Sequence, residues 1–253
     1  MTLTVHQFPC LSDNYGFLIR DEASGKTATI DTPDADAIKA ELKTLGWGLD
    51  YIFNTHWHPD HAGGNAALKE ATGCTIYGPQ EVTRIAPLDH PVTEGDEVKL
   101  GETSLRVIDT GGHTVGHITY FDAADRIAFV GDTLFALGCG RMFEGQPAQF
   151  WGSLQKLAAL PDETKVYCAH EYTASNARFA LSVDDDPALK ARTDQVFAAR
   201  ERGEPTVPTT IGLEKATNPF LRAPKLAGRV GAAGKPDHEA FAAVRAAKDG
   251  FKG

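Results

Sequence analysis

A chain of 253 residues can bury roughly 70–75% of its unfolded surface, so its core needs no disulfide staples. With 42% hydrophobic and 23% charged residues the composition excludes a disordered chain, and no run of about 18 apolar residues offers a membrane span. A net charge of −9 opposes attraction to phosphate backbones, so neither nucleic acid nor membrane is an expected partner. Four cysteines without a C-x-x-C pair exclude thiolate zinc ribbons. They fit free thiols in a reducing compartment, and the opening MTLTVHQFPC has neither a basic start nor an apolar core, so the cytoplasm is the expected location.

In chain order, apolar or alternating runs bounded by Gly, Pro and Asp predict strands at Leu3–Phe8, Tyr15–Arg20 and Thr27–Ile30. A helix is expected over Ala35–Leu45, a strand over Tyr51–Asn54 and a helix over Asn65–Ala71. Strands at Glu97–Leu100, Leu105–Ile108, His117–Phe121 and Ile127–Val130 then follow one another with no helix between them. A helix over Ala148–Leu160 and a strand over Val166–Cys168 complete this part, which reads as a mixed sheet or two sheets with helices packed outside. Beyond about Tyr172 the chain turns helical, over Ala174–Leu181, Ala188–Arg200 and Glu239–Lys248, with an irregular proline-containing stretch between the last two. Asp186 followed by Pro187 gives the second of these a cap and a proline at its first helical position. The expected division is therefore a larger mixed-sheet domain over 1–172 and a small helical domain over 173–253.

Charge is uneven. The last 33 residues carry seven basic and three acidic side chains, +4, which leaves −13 for the rest. Such a tail is either a solvated surface or a local attractor for an anionic ligand.

The strongest chemical signal is Thr55-His56-Trp57-His58-Pro59-Asp60-His61, directly after an apolar strand. In an extended stretch His56 and His58 point to one face and can grip a single metal. Pro59 favours a turn, which sends Asp60 and His61 to another side, and a helix is expected from Gly63-Gly64. Four ligands in two directions suggest two metals. His113, Asp132 and His170 each follow another apolar strand and a small residue, the place where open α/β sheets gather ligands.

These motifs resemble those of the metallo-β-lactamase superfamily and, within it, the glyoxalase II enzymes, or hydroxyacylglutathione hydrolases. The resemblance spans nearly the whole chain. It is carried by T-H-x-H-x-D-H at Thr55–His61, G-H-T at Gly112–Thr114, G-D-T-L-F at Gly131–Phe135, G-C-G-R at Gly138–Arg141, H-E-Y-T at His170–Thr173, N-P-F-L-R at Asn218–Arg222 and V-R-x-x-K-D-x-F at Val244–Phe251. It implies an α+β fold, a four-layer αββα sandwich followed by a small helical domain that helps to hold glutathione. It also implies His56, His58 and His113 on one metal, Asp60, His61 and His170 on the other, and Asp132 bridging. Glutathione contacts map onto Arg141, Phe143, Tyr172, Arg245 and Lys248. Some relatives carry lysine and tyrosine where this chain has Arg141 and Phe143.

The implied reaction is hydrolysis of S-(D-lactoyl)glutathione, and of related 2-hydroxyacylglutathiones, to D-lactate and glutathione, the second step of methylglyoxal detoxification. A hydroxide shared by the two metals would attack the thioester, with Asp60 accepting a proton and Asp132 holding both ions. Zinc is the expected ion, and the mixed imidazole and carboxylate donors also suit iron and manganese. Asp31 and Asp109 are read either as groups that orient ligand imidazoles or as structural caps. Arg245 and Lys248, three apart on the last helix, share a face beside an apolar stripe of Phe241, Val244 and Phe251. A one-iron oxidoreductase of the same superfamily acting on a glutathione persulfide is the nearest rival, and the G-C-G-R segment and basic last helix favour the hydrolase. A monomer is expected.

Overall fold

The structure, a computed structural model, describes residues 3–253. Its chain forms two compact units interleaved in sequence: one runs to Asp109 and resumes over Gly116–Gly131, and the other comprises Thr110–Val115 and Asp132–Gly253.

The first unit opens with β1 (Leu3–Cys10), β2 (Asn14–Asp21) and β3 (Thr27–Ile30), paired antiparallel in that order. Helix α1 (Ala35–Leu45) follows, started by Asp34, whose carboxylate accepts from the backbone N–H of Asp36 and Ala37, and stopped by Gly46 in the left-handed region. Then come β4 (Tyr51–Phe53), the single helical turn α2 (Pro59–Ala62), α3 (Asn65–Thr72), β5 (Thr75–Gly78) and β6 (His90–Pro91). Strands β3 to β6 pair in parallel, so β1 to β6 form one mixed sheet in chain order. Strands β7 (Glu97–Leu100), β8 (Thr103–Asp109), β9 (Ile118–Asp122) and β10 (Ile127–Gly131) make an antiparallel meander.

Strand β2 is buried along almost its whole length because both of its faces are covered. On one face Phe8, Leu18, Ile52 and Ile76 pack with Ile38 and Leu42 of α1 and Leu68 of α3. On the other, Phe17 meets Phe129 of β10 at 6.0 Å and Phe53 meets Tyr120 of β9 at 5.5 Å. The buried Tyr120 hydroxyl donates to the carbonyl of Asn54 at 2.9 Å, which ties the meander to the residue just before the histidine loop.

The second unit holds the short hairpin β11 (Leu134–Phe135) and β12 (Gly138–Cys139), then α4 (Pro147–Ala158) and β13 (Lys165–Cys168). Helices α5 (Thr173–Val183) and α6 (Pro187–Glu201) follow, then β14 (Thr209–Thr210), antiparallel to β13, and α7 (Ile211–Thr217), α8 (Ala223–Leu226) and α9 (Asp237–Gly250). The Asp186 cap and Pro187 start α6 as expected. Phe241 of α9 is fully buried against Phe150 of α4 at 5.4 Å and Phe220 at 6.3 Å. Much of the basic tail is neutralised: Arg222 pairs with Asp184 and Asp186, and Arg229 with Asp185.

Two expectations need correction. Pro59 opens helical turn α2 rather than a plain turn, since a fixed φ and a missing N–H both suit the first helical position. The stretch after Pro208, read as irregular, contains α7, started by the Thr210 hydroxyl accepting from the Leu213 N–H. Among the described residues no helix is long and apolar enough to cross a membrane.

Gly112, next to His113, has φ +149, and a Cβ there would come within 2.3 Å of the Phe150 ring. Gly112→Ala is expected to lower the unfolding free energy by about 1–3 kcal/mol, read from urea denaturation.

Candidate metal centre and adjoining pocket

The histidine loop leaves β4 in extended conformation and enters α2, so His56 and His58 lie on the extended part and Asp60 and His61 on the helical turn. Buried amides and hydroxyls hold it in place. Asn54 Nδ2 donates to the His61 carbonyl at 2.9 Å, as does the Thr32 N–H at 2.8 Å, and Asn65 joins the Asn54 and Thr32 side chains.

Asp31 orders two of the rings. It accepts from the Thr55 N–H at 2.7 Å, the Thr55 hydroxyl at 2.8 Å and Nδ1 of His61 at 2.8 Å. Because the Thr55 hydroxyl hydrogen goes to Asp31, its oxygen, 3.0 Å from Nδ1 of His56, accepts from that ring. Both imidazoles thus carry their proton on Nδ1 and turn a lone pair outward on Nε2. Nε2 of His56 lies 3.0 Å from Nδ1 of His58, and Nε2 of His61 lies 3.5 Å from Oδ2 of Asp60, whose Oδ2 also accepts from Asn14 Nδ2 at 3.1 Å.

In the second unit His113 has its Nδ1 held by the Arg141 carbonyl at 2.7 Å and its Nε2 at 3.3 Å from Oδ2 of Asp132. Nε2 of His170 lies 3.4 Å from Oδ1 of the same carboxylate. Asp132 therefore offers one oxygen to each of two imidazoles. Gly140 makes this packing possible: a Cβ there would lie 2.0 Å from the Asp132 carbonyl and 2.9 Å from Nδ1 of His113.

His56, His58, Asp60 and His61 in the first unit and His113, Asp132 and His170 in the second supply the imidazole and carboxylate donors of a candidate metal site. Donors about 2.0–2.2 Å from one tetrahedral ion stand about 3.3–3.6 Å apart, the spacing of the Asp132 pairs, and five imidazoles with two carboxylates suit divalent transition metals. The residues fit a two-ion centre.

A cavity of about 370 Å³ in the second unit is lined by His113 and Asp132 on one side and by Arg141, Phe143, Tyr172, Arg245 and Lys248 on the others. The five expected substrate contacts differ in character. Arg141 and Phe143 are exposed and stack on each other at 5.7 Å. Tyr172 lies flat on the His170 ring, 4.7 Å away and 3° from parallel. Arg245 is only 6% exposed; it donates to the Cys139 carbonyl at 3.0 Å and to Asp249 at 2.9 Å. Lys248 is half-buried between Phe179 and Phe251 and donates to the Ser175 carbonyl and hydroxyl, both at 3.1 Å. Burial, aided by Arg245 and Arg178, lowers its pKa to about 8, against the pull of Asp249.

Sequence reasoning missed Asn14 and His117. The buried His117 ring stacks on His56 at 4.8 Å, and Gly131, at φ +48, leaves room for it: a Cβ there would lie 2.6 Å from its Nε2. A histidine at the head of an apolar strand was the available signal. Asp31 bonds Nδ1 of His61 directly, and Asp109 ends β8 with its N–H donating to Glu94.

Asp31→Asn is expected to weaken ion binding about 10–100-fold, measured as metal retained per chain after dialysis against a weak chelator.

A family model described as the Metallo-beta-lactamase superfamily matches residues 17–170, and one described as Hydroxyacylglutathione hydrolase C-terminus matches residues 171–251. A relative named hydroxyacylglutathione hydrolase, from Erythrobacter litoralis (strain HTCC2594), is 56% identical, with 98% of this chain and all of the relative covered. Among solved structures, ETHE1 from Myxococcus xanthus is 28% identical at a TM-score of 0.66, over 97% of this chain and 98% of that one. TTHA1623, solved in a di-iron-bound form, is 26% identical at a TM-score of 0.62, over 86% of this chain and 100% of that one. With both halves of the chain and the donor set in agreement, the chain belongs to the metallo-β-lactamase superfamily and, within it, to the hydroxyacylglutathione hydrolase family.

Proposed function

We propose that this chain hydrolyses 2-hydroxyacyl thioesters of glutathione, S-(D-lactoyl)glutathione foremost, to the hydroxy acid and glutathione. The observation that carries this is a basic cavity that shares His113 and Asp132 with the donor set. His56, His58 and His113 would hold one ion, Asp60, His61 and His170 the other, with Asp132 between them. Two such ions supply an acidified water and polarise a carbonyl.

The chain's own residues do the rest. Asp31, Thr55 and the Arg141 carbonyl keep three imidazoles turned with Nε2 inward. Asp60, steadied by Asn14, would accept a proton as the thioester carbon becomes tetrahedral. The leaving group is a thiolate, which needs no dedicated acid. A glutathionyl group carries two carboxylates and one ammonium. Arg141 and Lys248 supply opposite charge, while Arg245, tied to Asp249, shapes the wall more than it reaches out. Phe143 offers its ring without the hydroxyl of a tyrosine.

Zinc is the proposed ion, with elemental analysis to decide against iron and manganese; the di-iron form of TTHA1623 supports the two-ion count and keeps iron in view. Residues 1–172 would form the catalytic domain and 173–253 the glutathione-holding one, a division supported by the change of family model at residue 171. A monomer is the proposed state, and four buried free thiols support a reducing cytoplasm.

Purified protein is expected to cleave S-(D-lactoyl)glutathione and to lose that activity when its metal is chelated; retention of full activity without metal would sink the reading. Lys248 holds a carboxylate only as the ammonium, so KM should rise as pH passes about 8. In Lys248→Arg, which stays charged, that alkaline rise in KM should vanish, and with it the matching fall in kcat/KM.

A further inference from the structure

Two of the sequence motifs, N-P-F-L-R at Asn218–Arg222 and G-C-G-R at Gly138–Arg141, meet in the second unit around a buried polar node. Asn218 is fully buried, and its Nδ2 donates to the carbonyls of Phe135 at 3.1 Å and Gly138 at 2.9 Å and to Glu214 at 2.9 Å. Its Oδ1 accepts from the Phe220 N–H at 2.9 Å. Glu214, also fully buried, accepts from the Leu137 N–H at 2.9 Å, from the Thr209 hydroxyl and from the Arg192 guanidinium. Every group facing this carboxylate is a donor, so an acceptor-only side chain is what the node requires.

The node grips the turn between β11 and β12. Leu137 in that turn sits at φ 57, a strained position for leucine, and its N–H is the one that Glu214 holds. On one side of the turn the Phe135 ring presents an edge to Tyr172 at 5.5 Å and to His170 at 5.9 Å. On the other side the Cys139 carbonyl holds Arg245, and Phe220, fixed by Asn218, lies under the same guanidinium at 4.9 Å. The node thus reaches Arg245 by two routes and Tyr172 by a third, without touching the cavity. Paired buried charges of this kind add little net stability.

We propose that Asn218 and Glu214 are positioning residues for the substrate pocket, setting Arg245 and Tyr172 through the Phe135–Cys139 hairpin. The proposal rests on the reading of that cavity as the glutathione site.

The test compares Asn218→Ala with Thr217→Ala, since the Thr217 hydroxyl bonds Arg192 of the same node but does not touch the turn. In the metal-loaded enzyme Asn218→Ala should raise KM for S-(D-lactoyl)glutathione and Kd for glutathione about tenfold, with kcat within about twofold and ion content unchanged. Thr217→Ala should leave KM and Kd alone at a similar loss of melting temperature. Unchanged KM and Kd in Asn218→Ala, or an equal rise in Thr217→Ala, would overturn the positioning role. Should Asn218→Ala not accumulate folded, Glu214→Gln, which turns an N–H toward the donors, is read in the same way. Failure of the unaltered enzyme to cleave any hydroxyacylglutathione would instead sink the functional reading, and its glutathione Kd would still report on the node.

Discussion

The carboxylate of Asp31 is the constraint on which the histidine loop depends. The residue sits at φ 57, a left-handed conformation more open to aspartate than to most side chains, but one that its surroundings must still hold. Here they do: its N–H donates to the Phe53 carbonyl at 3.0 Å, and its own carbonyl accepts from the Thr29 hydroxyl at 2.8 Å. The bend turns the carboxylate off the end of β3 toward β4. One acidic group then sets the protonation of two rings, His61 directly and His56 through Thr55. Strain of about 1 kcal/mol at one residue is small beside the cost of imidazoles in the wrong tautomer, which would turn N–H groups toward a cation.

Much of this was legible in the sequence. The histidine loop, the later His and Asp after small residues, and most strands of the first two-thirds follow from local pattern, because ligand spacing and strand alternation are short-range properties. What was not legible depends on contacts far apart in the chain. Strand β5 is four residues long and is defined by its parallel pairing to β4 rather than by its own pattern. Asn14 reaches Asp60 across 46 residues, and Arg245 reaches Cys139 across 106. Helix periodicity put Arg245 and Lys248 on one face but could not show that Arg245 would be buried and spent on the backbone.

The pocket wall follows from the same economy of charge. Arg222 and Arg229 are used to neutralise the acidic run Asp184–Asp186, so the basic excess of the tail does not all face a ligand. Asp249 sits between Arg245, at 2.9 Å, and Arg141, at 3.6 Å, and restrains two guanidinium groups at once. Among the described residues Lys248 makes no such carboxylate bond, and burial outweighs the pull of Asp249 enough to bring its titration into the mildly alkaline range.

Cys139 lines a cavity into which the proposed reaction releases a free thiol. Burial raises its pKa to about 11, even with Arg245 drawing it down. At neutral pH only about one such sulfur in ten thousand is ionised, and the un-ionised form does not attack disulfides. The thiol in the pocket wall is therefore a weaker nucleophile toward the product's disulfide than a more acidic cysteine in its place would be.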